Sequence, residues 1–514
     1  MLLSPARSRP QRTKPMPSFS QPTLGDARQE WWGRALRLVL VGGAAVGLGG
    51  LCARLGLLGP VLLVGLVGGI AVSAIVFGAP RLGFWATLIV AIVGLGVKRY
   101  VPVPMGLTVD VLLALTWIGL VVPVAGRLDW HKANRPAVWG ALLWMGYVTF
   151  QLLNPEAASR LAWAYAMRGV GLHFALVVPL VLLLLDRRRD LDWFLTIWFV
   201  LSILGTLNGL RQKFIGLDPF EWQWLRSGAA VQHILFGKLR IFSFFSDAGQ
   251  FGAAQGHVAV VAGIMTIGRD LSWRRRLFYG LTALCGIVGL FISGTRGAMA
   301  VPFFGGVTYL VLSKNWRAIL LGVAAMAMAY GFFMYTSIGS SVYQIQRFRD
   351  ALQRGSDTPS MQVRLRNQER LARYMKADPV RYAIGGGIGS VGSWGRRFSP
   401  GTWLAEFPPD SWYVRLWAET GTAGLGLYLG LWILLMGYGA VLVWRVEDPQ
   451  LRQALIGLHA GIMGILMASY GNQVLGQLPT GILVYASLAY LSMAPRLADD
   501  PPSSQPEQAD PTPS

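Results

Sequence analysis

Arg296 stands in the stretch LFISGTRGAMAVPF (residues 290–303), between two apolar runs and flanked by glycines and small hydroxyl residues. Arg240 lies in RIFSFFSDAGQFG, Asp410 in PPDSWYVRLW, and His233 just upstream of Arg240 in VQHILFGKLR. A guanidinium at the edge of an apolar run has two uses. It can snorkel to water as an interfacial anchor, or it can hold an anion through paired N–H groups, which a lysine cannot do. A carboxylate or an imidazole nearby can orient a hydroxyl group or take its proton. Together these types suit binding of an anion beside a group that can orient or deprotonate a hydroxyl. For Arg296, anchor and clamp both stand at this point.

The elements that position these residues follow from composition. The chain has 514 residues, 53% of them hydrophobic and 14% charged, and its mean hydropathy is +0.46. Apolar stretches of about 20 residues, each long enough to cross the hydrocarbon of a bilayer, recur along nearly its whole length. The pattern predicts an all-α, polytopic transmembrane bundle and excludes soluble folds. Nucleic-acid binding is not expected. Residues 1–35 and 495–514 are rich in Pro, Ser, Gln and charge, and read as disordered cytoplasmic tails. No apolar run directly follows the basic N-terminal stretch, so a signal-anchor is expected there rather than a cleaved leader. The two cysteines, Cys52 and Cys285, both lie inside apolar runs and form no disulfide framework.

Fourteen spans are expected, at about 36–53, 57–78, 82–97, 105–126, 136–153, 169–185, 192–210, 251–268, 277–293, 298–313, 317–335, 420–444, 454–470 and 478–494. Spans one to eleven thus fill residues 36–335, and spans twelve to fourteen fill 420–494. The short turns RLDWHKANR, DRRRD, RDLSWRRR and SKNWR are basic, and with both termini cytoplasmic this count puts all four inside. The same parity places segments 211–250 and 336–419 outside, together with the SGTRG turn that carries Arg296.

The larger outer segment has features of its own. TPSMQVRLRNQERLARYMKADP (residues 358–379) predicts a helix with Thr358 as N-cap and Pro359 at its first position. Arg366, Arg370 and Arg373 fall on one face and Met361, Leu365, Ala372 and Met375 on the other. It reads as a helix lying on the membrane surface, over a cavity mouth, or simply against the bundle. IGGGIGSVGS (residues 384–393) lacks the Gly-Lys-Ser/Thr ending of a phosphate loop and reads as a turn, with close backbone approach to a ligand left open.

Three stretches, GKLRIFSFFSDAGQFG, SGTRGA and FPPDSWYVRLWAETGTAGLGLYL, fall in this order on the same predicted side. Over residues 190–445 the chain resembles the O-antigen ligase and O-antigen polymerase superfamily of bacterial inner membranes. The resemblance rests on Arg240 before a small, aromatic and Asp-containing stretch, on Arg296 in a Ser-x-Thr-Arg-Gly turn, on a Gly-x-Gly turn at Gly385–Gly389, and on AETGTAGLGLYL. It departs at one point: where relatives carry His-Asn, this chain has Asp410 and Ser411, and residues 336–419 contain no histidine.

The resemblance implies a multi-pass inner-membrane glycosyltransferase working at the periplasmic face. Its donor would be an undecaprenyl-pyrophosphate-linked glycan. Its acceptor would be lipid A-core, a lipid-linked saccharide or a protein hydroxyl. Arg240 and Arg296 would hold the pyrophosphate. Asp410 would stand in for the family histidine, although an ordinary pKa of ~3.9 makes a carboxylate a weak base unless burial raises it; His233 is the alternative base. Trp412, Tyr413 and Arg415 would contact acceptor or sugar, and the aromatic residues read equally well as an interfacial belt. No metal site and no cofactor are expected. Asp110, His257 and His459, inside or near apolar runs, are expected to make structural hydrogen bonds. The rival readings are a polysaccharide or lipid-linked oligosaccharide transporter or flippase, which calls for paired broken helices and midplane charge, and a membrane scaffold.

Overall fold

The computed structural model describes residues 58–101, 105–124, 128–235, 237–269, 271–314 and 359–500, with a few isolated helical positions elsewhere. The expected spans at 36–53 and 317–335, the N-terminal tail, Thr358 and most of the C-terminal tail lie outside these residues.

The described chain is a polytopic helical membrane bundle. Its one β feature is a two-stranded antiparallel ribbon, Ile234–Leu235 with Lys238–Leu239, a small addition to the all-α fold expected. Seven helices among the described residues are long and apolar enough to cross a membrane, against the fourteen expected. They are Pro80–Val97, Pro136–Leu153, Arg160–Leu184, Arg188–Phe214, Trp273–Ser293, Trp412–Arg445 and Pro449–Ala468; Met105–Val121 and Thr480–Ser492 are apolar but shorter.

The expected span at 251–268 is the helix Ala248–Thr266, an apolar run interrupted by polar residues. It has 19 residues, of which all but a few are buried, and it carries Gln250, Gln255 and His257 inward. Neighbours rather than lipid surround it. The amide of Gln255 is satisfied by Ser202, accepting from its Oγ at 2.8 Å and donating to its carbonyl at 3.0 Å, as a buried polar group must be. Trp273–Ser293 packs closely along it because Gly286 faces Gln255 and Ala259; a Cβ there would lie 2.8 Å from the Gln255 carbonyl oxygen. Small residues at such crossings let helix backbones approach where water provides no driving force.

The three intramembrane residues diverge. Asp110 pairs with Arg168 and lies 2.8 Å from His173 Nε2, and His459 Nε2 lies 2.9 Å from the Met436 carbonyl. His257 departs from expectation: neither ring nitrogen has a hydrogen-bond partner among the described residues, and the ring lies 4.6 Å from that of Trp198. Its role is packing.

The basic turns gather at one end. Lys132 meets Asp186 at 2.5 Å, Arg188 meets Asp448 at 2.7 Å, Arg276 donates to Gly268, and Lys314 lies over the Trp444 ring. The C-terminal tail is not wholly unstructured: Ala494–Asp499 forms a helix, because Leu497 is buried in the core and Arg188 binds its carbonyl at 2.6 Å. The candidate chemistry lies at the opposite end.

Candidate functional site

At that end, the segment after the ribbon brings Arg240 to the turn that carries Arg296. The backbone N–H of Arg240 donates to the His233 carbonyl at 2.8 Å, closing the ribbon. Arg240 Nη2 donates to Thr295 Oγ1 at 2.6 Å, and that hydroxyl donates to the Ala248 carbonyl at 2.9 Å. Two arginines from distant parts of the chain are thus joined through the residue that precedes the second. Both side chains are half-buried.

The turn then meets a segment that sequence reading passed over. Gly297 backs onto Asn472, with no room for a Cβ between them. Residues 469–479 connect Pro449–Ala468 to Thr480–Ser492, and they run through the structure instead of over it. The Ser469 carbonyl accepts from the Trp412 N–H at 3.0 Å. Gln250 donates to the Val474 carbonyl at 2.9 Å and accepts from Thr480 at 2.6 Å. Gln473 donates to the Pro409 carbonyl and accepts from Arg415 at 3.3 Å. Asn472 Nδ2 is buried with no hydrogen-bond partner among the described residues.

On the far side of this segment lies the helix Pro359–Lys376. Its existence and its proline start match the sequence reading, and Arg366, Arg370 and Arg373 are exposed. Its buried face is rotated from the one expected: Leu371 and Met375 are buried while Leu365 is exposed. Arg364 therefore turns inward, where it lies 3.9 Å from Asp410. The two line a small cleft with Asn367, Gln368, Ser411 and Tyr470. Asp410 keeps 45% of its side chain exposed. Its arginine neighbour is thus Arg364, a residue the sequence reading had not singled out.

The remaining candidates are placed as follows. Trp412 is 2% exposed, with its indole N–H 3.3 Å from the Tyr428 hydroxyl. Tyr413 donates to the Leu466 carbonyl at 2.7 Å. Arg415 binds Glu419 at 3.1 Å. His233 is 2% exposed, enclosed by Trp224 and Phe242, with Nδ1 2.8 Å from the Ala229 carbonyl. Burial holds its imidazolium below the usual histidine range, with the Ala229 carbonyl opposing. Arg99 lies over the same two rings and donates to the carbonyls of Ser243 and Phe245. Burial lowers its guanidinium to about 10.

The glycine turn is filled from within. The N–H groups of Gly386 and Gly387 donate to the carbonyls of Ala418 and Glu419 at 2.9 and 3.0 Å, and those of Gly389 and Val391 lie at the Glu419 carboxylate. Gly385 has φ +82° and Gly421 has φ +69°. They face each other at a break in the helix Trp412–Arg445, where a Cβ on either would strike the other's backbone. The Glu419 carboxylate lies beside the turn, its Oε1 accepting from Arg415 at 3.1 Å and its Oε2 buried with no hydrogen-bond partner among the described residues.

A continuous rim thus runs from Arg240 through Thr295, Arg296 and Asn472 to Arg364 and Asp410. It offers guanidinium groups for an anion and a carboxylate for a hydroxyl. Among the described residues, no group of three or more His, Cys, Asp or Glu is placed to hold a metal ion. Residues 281–429 match a family model described as O-Antigen ligase. The matched segment holds Arg296, Arg364, Asp410, Arg415 and Glu419, and stops short of Arg240 and Asn472 on either side. A comparison with curated proteins finds no match.

Proposed function

We propose that this chain is a metal-independent membrane glycosyltransferase of the O-antigen ligase or polymerase type. It takes a glycan from an undecaprenyl-pyrophosphate donor and attaches it to a sugar hydroxyl, on lipid A-core or on a lipid-linked saccharide. The observation that carries this reading is the junction of Arg240 with the Arg296 turn through Thr295, beside a half-exposed carboxylate, in a chain whose residues 281–429 match the O-antigen ligase model.

In the reaction, the acceptor oxygen forms a bond to the anomeric carbon while the bond from that carbon to the phosphate oxygen breaks. The pyrophosphate leaves with the electron pair, and its charge grows as it does so. Arg240 and Arg296 hold that charge bidentately, and the Asn472 amide is placed to add a donor beside Gly297. Asp410 accepts a hydrogen bond from the acceptor hydroxyl and orients it; the proton passes to the carboxylate or to the departing phosphate. Arg364 lines the same cleft as Asp410 and adds positive charge beside it. In this reading, His233 supports the ribbon that presents Arg240, and Trp412, Tyr413 and Arg415 anchor the start of their helix and the 469–479 segment, with no direct contact to sugar.

The orientation belongs to the same proposal: inner membrane, with the rim facing the periplasm and the basic turns inside. Cysteine labelling from the periplasm should reach Arg366→Cys and spare Ser272→Cys; the reverse pattern would overturn the assignment. The function is tested by the glycans of a deletion strain. Free core with accumulated lipid-linked polymer identifies a ligase, and single repeat units identify a polymerase. Lipid-linked glycan trapped on the cytoplasmic side would instead identify a flippase and sink the transferase reading.

A further inference from the structure

The end of the bundle opposite the rim holds a second polar cleft, open to solvent, between the starts of Arg188–Phe214, Trp273–Ser293 and Pro449–Ala468 and the end of Ala248–Thr266. Its polar wall contains Arg188, Arg269 and Arg275 against one carboxylate, Asp192; its floor is apolar, with Leu191, Met265 and Leu271. Asp270 lies outside the described residues.

Not all of these groups face a ligand. Arg188 is engaged, 2.7 Å from Asp448 and 2.6 Å from the Leu497 carbonyl. Gln453 donates to the Ile264 carbonyl at 2.6 Å. Arg269 is exposed. Arg275 lies 3.9 Å from Asp192, and the two side chains are 44% and 40% exposed, a separation at which an ion pair contributes little. The cleft therefore presents two guanidinium groups above an apolar floor. It opens at the perimeter of the bundle, for Ile267, Trp273 and Leu277 at the same helix ends are exposed apolar residues.

We propose that this cleft binds the phosphate of an anionic membrane lipid, with Arg269 and Arg275 on the phosphate and an acyl chain against Leu191, Met265 and Leu271. The amphipathic lining chooses a lipid over a soluble phosphate, which would leave the apolar floor unused. Each arginine at a membrane surface adds about 1 kcal/mol toward an anionic headgroup, roughly a fivefold change in binding. Asp192 opposes the ligand.

The full-length protein in phosphatidylcholine nanodiscs, with and without phosphatidylglycerol, provides the test, read by native mass spectrometry for retained lipid. Wild type should retain phosphatidylglycerol. Arg269→Gln and Arg275→Gln should each lower retention about fivefold, and Asp192→Asn should raise it. The opposite sign of the Asp192 variant keeps the test decisive should an arginine variant fold poorly. Equal retention by wild type and all three variants overturns the proposal. So does thermal protection by inorganic phosphate in phosphatidylcholine discs that equals the protection by phosphatidylglycerol, since the ligand is then a free anion.

Discussion

At the two ends of this bundle, Arg188 and Arg240 are held in different ways. At the end with the basic turns, Arg188 and Lys132 are held by carboxylates at 2.7 and 2.5 Å, and these contacts tie the C-terminal helix and the short turns to the bundle. At the rim, Arg240 donates to a threonine hydroxyl, and the Arg364–Asp410 pair is long and substantially exposed. A guanidinium held by a close carboxylate is neutralised and serves stability. In the proposed function, Arg240 and Arg296 serve the ligand instead. The difference teaches that local pairing, more than the count of basic residues, separates a brace from a binding site.

That contrast can be broken most directly at the rim. Arg240→Ala and Arg296→Ala should each cut glycan transfer by about 10²–10³-fold, the usual cost of losing one group that stabilises transition-state charge, with expression unchanged. Lysine should rescue poorly. Near-normal transfer by the alanine variants would make both residues interfacial anchors. Asp410→Ala should lose about 100-fold and Asp410→Asn about tenfold, because the amide keeps an acceptor oxygen for the hydroxyl. If both are fully active, the acceptor site lies elsewhere.

At the braced end the readout should be stability. Arg188→Ala leaves the Leu497 carbonyl without its arginine donor and Asp448 with only its helix-capping bond from Leu451, and should cost about 1–3 kcal/mol, seen as a lower Tm in detergent, with transfer per folded molecule intact. A loss of turnover without a loss of stability would erase the distinction between the ends. The smallest effect concerns His233. Its folded pKa lies below the unfolded value, so the unfolded chain binds the proton more readily and stability falls as pH drops through about 6.5. The wild-type Tm should decline from neutral toward acid pH, and His233→Gln should decline less; parallel profiles would show that His233 does not contribute.

Much of the fold was legible in sequence because lipid enforces long apolar runs and basic turns sort to one side. The count was not, since the expected spans at 36–53 and 317–335 lie outside the described residues, Met105–Val121 and Thr480–Ser492 are apolar but short, and Gln250, Gln255 and His257 interrupt the apolar run of Ala248–Thr266. The site was legible where charge interrupts apolarity, at Arg240, Arg296 and Asp410. It was not legible at Arg364, because the helix 359–376 carries arginine on several sides and only contact with Leu371 and Met375 fixes which side turns inward. Asn472 and Gln473 escaped because amides carry no charge, although their cluster in GNQVLGQLP, between two apolar runs, was a usable signal. The glycine stretch read as a turn with close approach to a ligand left open; nothing local to it announced that Glu419, well downstream in the chain, would lie beside it.

The segment 469–479 also has a practical consequence for anyone altering this protein. It is short and has the length of an ordinary surface connection, yet its carbonyls accept from Trp412 and Gln250, and its amide Gln473 bridges Pro409 and Arg415. Adding or removing one residue would put every one of these partners out of step at once. The turn at Pro400 and Gly401 is exposed and has no such obligations. An epitope tag or a fluorescent insertion therefore belongs at 400–401, whereas the same insertion at 471–477 should behave like a cut through the core.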